Sequence, residues 1–150
     1  MNLTFNLSGL NSLKGRALEI EATTDENRTF KVSRDPRTGL ISAVEIYSTT
    51  EKEELFVSAK KQKKTITLFK SDGSPIGELI SSFYRKTEFL TNNRRLTITP
   101  KKGALLQEFI GDGFHCTQVG KMIQIELEDE DFLELGIIWG YSHVLWLMEC

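Results

Sequence analysis

Cysteine, histidine and proline are all scarce in this chain, and each scarcity removes a class of protein. Of two cysteines, Cys116 and Cys150, the second is the final residue, where an ordered structural disulfide is not expected. A disulfide-stapled secreted scaffold is therefore excluded, and a reducing compartment fits best. The two histidines, His115 and His143, have no spaced Cys or His partners that would complete a zinc set. With three prolines and no low-complexity tract beyond Lys60-Lys61-Gln62-Lys63-Lys64, collagen-like and disordered classes are excluded. Met1 to Leu10 lacks both a basic leader and a continuous apolar core, so it does not read as a secretory signal. A cytoplasmic location is expected.

The chain has one long apolar run, at its end. Phe132 to Met148 follows the acidic residues Glu128, Asp129, Glu130 and Asp131, and it is interrupted only by Glu134, Ser142 and His143. Leu133, Leu135, Ile137, Ile138, Trp139, Val144, Leu145, Trp146 and Leu147 cover every direction of a helical wheel, as in a helix enclosed by other structure. The acids suit a helix N-terminus, with Asp129 or Asp131 as its cap. Seventeen residues lie at the lower limit for crossing a bilayer, and the flanks carry acids without basic anchors. The segment is expected to be buried in protein rather than transmembrane. Its Gly136 and Gly140 would let neighbouring side chains approach closely.

Before this run the sequence reads as strands. Short β-branched or aromatic stretches recur between turn signals near residues 2–7, 16–22, 28–33, 40–47, 53–59, 65–70, 75–82, 85–90, 94–99, 104–110, 114–119 and 122–127. The connections are tight, among them Asp35-Pro36-Arg37-Thr38-Gly39, Ser71-Asp72-Gly73-Ser74, Thr91-Asn92-Asn93 and Gly111-Asp112-Gly113. An antiparallel meander of about twelve strands follows. Closing it would remove both exposed edges. It would also leave a lumen wider than strand side chains fill, since about eight strands already give a filled interior. A helix over about 130–148, roughly 25 Å long, is the right shape to occupy that lumen. The expected fold is mainly β: a single domain over 1–150, in which a closed antiparallel barrel encloses a hydrophobic C-terminal helix.

At this point the chain resembles the tubby C-terminal-like superfamily, which also holds the LURP-one-related proteins and the phospholipid scramblases. Two stretches carry the resemblance. One is Thr65-Ile66-Thr67-Leu68-Phe69-Lys70-Ser71-Asp72-Gly73-Ser74-Pro75-Ile76-Gly77-Glu78-Leu79-Ile80, similar to the family's strand, Asp-Gly turn and following strand. The other is Asp131-Phe132-Leu133-Glu134-Leu135-Gly136-Ile137-Ile138, similar to its acidic-then-apolar terminal helix. The resemblance implies a twelve-stranded barrel threaded by that helix, and binding of phosphoinositide head groups through Lys and Arg. This helix is bulkier than the family's, with Trp139, Tyr141, His143 and Trp146, which implies a wider or partly open barrel. The Pro-rich and Cys-rich extensions of scramblases are absent, so lipid scrambling is not implied.

The net charge of −2 conceals a strong asymmetry. Residues 56–102 hold 11 basic and 3 acidic side chains, whereas residues 103–150 hold 1 and 9. The candidate ligand-binding residues for an anionic head group are Lys60, Lys61, Lys63, Lys64, Arg85, Lys86, Arg94 and Arg95, with Lys101 and Lys102 as a further basic pair. An anionic phospholipid at the inner membrane surface is the expected partner. The alternative is a protein-interaction or structural domain in which these cations pair with acids of their own chain or of a partner protein. Phe83 and Tyr84 beside Arg85 and Lys86 would suit base stacking, but a pI near 5.8 argues against nucleic acid. Catalysis is not expected, because His115 and Cys116 are adjacent on a strand and point to opposite faces. No metal or cofactor is implied.

Overall fold

The computed structural model describes residues 1–6, 19–34, 43–82, 86–91, 94–101, 103 and 108–149. Twelve strands follow one another along the chain: β1 Asn2–Asn6, β2 Glu19–Thr24, β3 Thr29–Arg34, β4 Ala43–Ser48, β5 Glu54–Gln62, β6 Thr65–Lys70, β7 Pro75–Ser82, β8 Lys86–Thr91, β9 Arg94–Pro100, β10 Glu108–Gly111, β11 Phe114–Val119 and β12 Met122–Leu127. A 3-10 turn, Glu130–Phe132, leads into the helix α1, Leu133–Glu149. The strand expected from residue 104 begins at Glu108, and residues 104–107 lie outside the described residues. So do the expected turns at 35–39 and 92–93.

Each strand pairs antiparallel with its sequence neighbours, and β1 pairs with β12, so the barrel is closed. The main chain seals this last seam. The Met1 ammonium donates to the Leu127 carbonyl at 2.9 Å, and the Leu127 N–H donates to the Met1 carbonyl at 2.8 Å. Followed once around, the registers accumulate a stagger of about one residue per strand. That stagger tilts the strands by roughly 35–45° to the barrel axis.

Alternation along the strands separates the two faces. In β12, Ile123, Ile125 and Leu127 are buried while Met122, Gln124 and Glu126 are exposed. In β8, Thr87, Phe89 and Thr91 point inward. The inner faces close on α1, whose Leu135, Ile137, Ile138 and Tyr141 are fully buried. The bulk of the helix does not open the barrel, contrary to what it implied. Small residues make the room: Ala22 and Ala59 face the lumen, and α1 presents Gly140 to Phe5 and Gly136 to Leu3 and Leu127. Trp139 meets Phe109 and Phe114 edge to face at 5.0 and 5.3 Å and stacks on His143 at 5.2 Å.

The acidic run acts as a cap. The Asp129 carboxylate accepts from the Asp131 N–H at 3.0 Å, satisfying a donor that the helix start leaves free. Among the described residues no helix is long and apolar enough to cross a membrane.

Candidate functional site

In a closed meander the direction of the strands alternates, and so does the end of the barrel at which they connect. Connections from even to odd strands lie at the end where β12 finishes and α1 enters. Connections from odd to even strands lie at the far end, toward which α1 runs. This parity sorts the charges.

At the far end the β5–β6 hairpin carries Lys60, Lys61, Lys63 and Lys64, all exposed. Gln62 pairs with Thr65, so Lys63 and Lys64 form a two-residue turn, and Lys63 holds it with φ of 58°. Local turn chemistry favours Gly or Asn there. Among the described residues, no carboxylate lies within ion-pair distance of these four lysines. Lys86, at the start of β8, stands at the same rim two strand spacings away, about 10 Å. Its ammonium lies 3.8 Å from Glu88. Lys101, following β9, and Lys121, in the β11–β12 turn, complete the arc. Lys101 pairs with Glu108 at 3.5 Å. Arg85, Lys102, Phe83 and Tyr84 lie outside the described residues.

The entry end is acidic. The β2–β3 connection brings Asp25 and Glu26, the β4–β5 connection Glu51 and Glu53, and the β6–β7 connection Asp72. The β10–β11 turn adds Asp112, and Glu128 to Asp131 precede the helix. The Asp72 carboxyl is held below its ordinary range, first by the Ser74 hydroxyl at 2.6 Å and then by the Ser74 N–H at 2.9 Å.

Two predicted site residues belong to this acidic end rather than to the lysine arc. Arg94 and Arg95 open β9, which starts where β8 finishes. The Arg94 guanidinium pairs with Asp129, donates to Asp131 at 3.0 Å, and lies 5.7 Å from the centre of the Phe132 ring. It fastens the helix entry. Arg95 is 4.0 Å from Glu88. Both arginines line an open cleft of about 640 Å³ on the outer face, with Thr67, Glu78, Leu90 and Thr91. Glu78 gives this cleft mixed charge, and Arg94 is already engaged, so it is a poor anion site. The eight predicted cations therefore do not form one patch: five gather at the far rim, two stand at the acidic rim, and Arg85 is not described.

The reactive side chains are separated as the strand geometry requires. Cys116 faces the core, and burial pushes its thiol up to about 12. His115 faces outward, 2.6 Å from Glu108. That contact, with Lys101 as a second influence, holds the Glu108 carboxyl below its ordinary range. His143 is buried inside the barrel and its pKa is depressed to about 4 by desolvation. Among the described residues no three His, Cys, Asp or Glu side chains group to hold a metal ion.

No protein-family model, curated protein or solved structure matches this chain.

Proposed function

We propose that this protein is a non-enzymatic binding module of the tubby-like kind, and that its lysine-bearing end holds an anionic ligand such as a phospholipid head group. One observation carries the reading. Among the described residues, four lysines without carboxylate partners crowd one hairpin, and Lys86, Lys101 and Lys121 extend the arc, while at the opposite end the acids outnumber Arg28, Lys52, Lys70, Arg94 and Arg95. A solubilising surface would intersperse the two signs. Segregation produces instead a molecule that an anionic surface orients as well as attracts. The Lys63 backbone adds support, because a lysine kept where glycine fits costs about 1–2 kcal/mol and such strain clusters at functional sites. The module would work peripherally, at the inner membrane surface.

A second reading, a protein-interaction or structural domain, is favoured by the ion pairs that already consume Arg94 and, more weakly, Lys86, Arg95 and Lys101. Sedimentation with vesicles of neutral and of anionic lipid, at low and moderate salt, separates the two. Binding to anionic vesicles alone, weakened by salt and lost when Lys60, Lys61, Lys63 and Lys64 are all changed to Glu, is the expected result. Absence of binding under every condition would replace it with the interaction-domain reading.

A further inference from the structure

An exposed hairpin end is ordinarily polar. The β11–β12 hairpin is not. Val119, the last residue of β11, is 66% exposed, and Met122, the first of β12, is 39% exposed. The two are direct cross-strand partners, so their side chains lie next to each other on one face. That is the outer face, because Ile123, Ile125, Phe114 and Cys116 of the same strands point inward. Between them the turn consists of Gly120, with φ of 60°, and Lys121. Among the described residues, Leu55 and Ile110 are the other exposed large apolar side chains. Leu55 stands near the acidic end, and Ile110 lies below the rim on β10.

The parity of the strands puts this hairpin at the same end as the lysine arc. It stands across a mouth roughly 20 Å wide from the Lys63-Lys64 turn. Among the described residues, the half of the rim between the β5–β6 turn and the β11–β12 turn thus bears a series of lysines and finishes in an apolar tip with a lysine of its own. That combination matches the interface of an anionic bilayer, where ammonium groups meet head groups and a Val and a Met reach the first methylenes. A free phosphate would need the cations alone and would leave the apolar pair in water.

We propose that the lysine end docks on an anionic lipid bilayer with the tip of the β11–β12 hairpin inserted at the head-group boundary, and that the acidic end faces away. This rests on the proposed anion-binding role and specifies its ligand as a membrane surface. The test uses vesicles of phosphatidylcholine with a quarter phosphatidylserine, and inorganic tripolyphosphate as the soluble anion. The double variant Val119→Ser, Met122→Ser alters exposed positions, and thermal melting checks that it remains folded. Its vesicle affinity is expected to fall by about tenfold, with tripolyphosphate binding unchanged. A Val119→Trp variant made in a Trp146→Phe background, read against lipid brominated high on the acyl chain, is expected to show quenching that this background alone, with Trp139 inside the barrel, does not show.

Full vesicle binding by the double variant, with no quenching in V119W, overturns the insertion while leaving the lysine reading standing. Tripolyphosphate binding without vesicle binding also overturns it, in favour of a soluble phosphate ligand. Binding of neither probe by the parent overturns the insertion and the anion-binding role together.

Discussion

Gly140 and Gly136 look equivalent in the sequence, four apart on one apolar helix, yet the barrel treats them differently. A methyl group at Gly140 would stand 2.4 and 2.6 Å from ring atoms of Phe5, which is fully buried and has nowhere to retreat. At Gly136 the nearest atom is the end of the Leu127 side chain at 3.0 Å, which can turn aside. Alanine favours a helix over glycine by about 1 kcal/mol, and overpacking costs about 1–3 kcal/mol. Gly136→Ala is accordingly expected to be near neutral, whereas Gly140→Ala is expected to destabilise by about 1–2 kcal/mol, read as a lower midpoint in denaturant. Equal effects would mean that Phe5 does not fix the depth of the helix. The spacing of the glycines announced a close approach, but which of the two meets the tighter contact depends on where the helix stops along the barrel.

The helix α1 couples the stability of the barrel to pH through His143. Burial depresses its pKa from 6.5 to about 4, so the folded protein holds it neutral. Above 6.5 the histidine is neutral whether folded or unfolded, and its contribution to stability is complete. As pH falls from 6.5 toward 4 the unfolded chain takes up a proton that the folded chain refuses. About 3 kcal/mol is lost over that window. Glu134 acts in the opposite sense, because burial raises its carboxyl pKa, and protonating it at low pH favours the folded state. Denaturant titrations of the parent and of His143→Leu at pH 7 and pH 4.5 are expected to show a loss for the parent that the variant largely lacks. A parallel decline in both would assign the acid sensitivity to other groups. The sequence showed a histidine on a buried helix. The stacked Trp139 and the edge of Phe109 at 4.9 Å required side chains from two parts of the chain.

At the scale of the molecule, barrel and helix depend on each other. Twelve strands close a lumen that their own side chains do not fill, and α1 fills it. Removing residues 128–150 would expose the inner faces of all twelve strands to water. The shortened chain is expected to lose the cooperative thermal transition and to bind a hydrophobic dye. A sharp transition in the truncated protein would show that the barrel collapses to a filled core unaided. Segregated charge belongs to this scale too. The α1 N-terminus sits among the acids, which complement the positive end of its dipole, whereas no basic residue lies in its last turn.

Strand positions were legible in the sequence because the signals are local: period-two alternation in Ile123, Ile125 and Leu127, and turn residues such as Asp72-Gly73, lie within a few residues of one another. The apolar run at 132–148 likewise declared burial wherever it was placed. Sorting of the cations was partly legible, since counting strand parity separates Arg94 and Arg95, which open an odd strand, from the Lys63-Lys64 turn and Lys86. Lys121 escaped notice because a single lysine carries no local pattern, and it joins the arc only through the parity of β11. Closure of β1 on β12, the meeting of Arg94 with Asp129 and Asp131, and the contact of Gly140 with Phe5 were decided by the tertiary structure alone. Each joins residues at least 35 positions apart. Such contacts depend on the register accumulated around the whole barrel and on the depth of the helix within it, and no local segment carries that information.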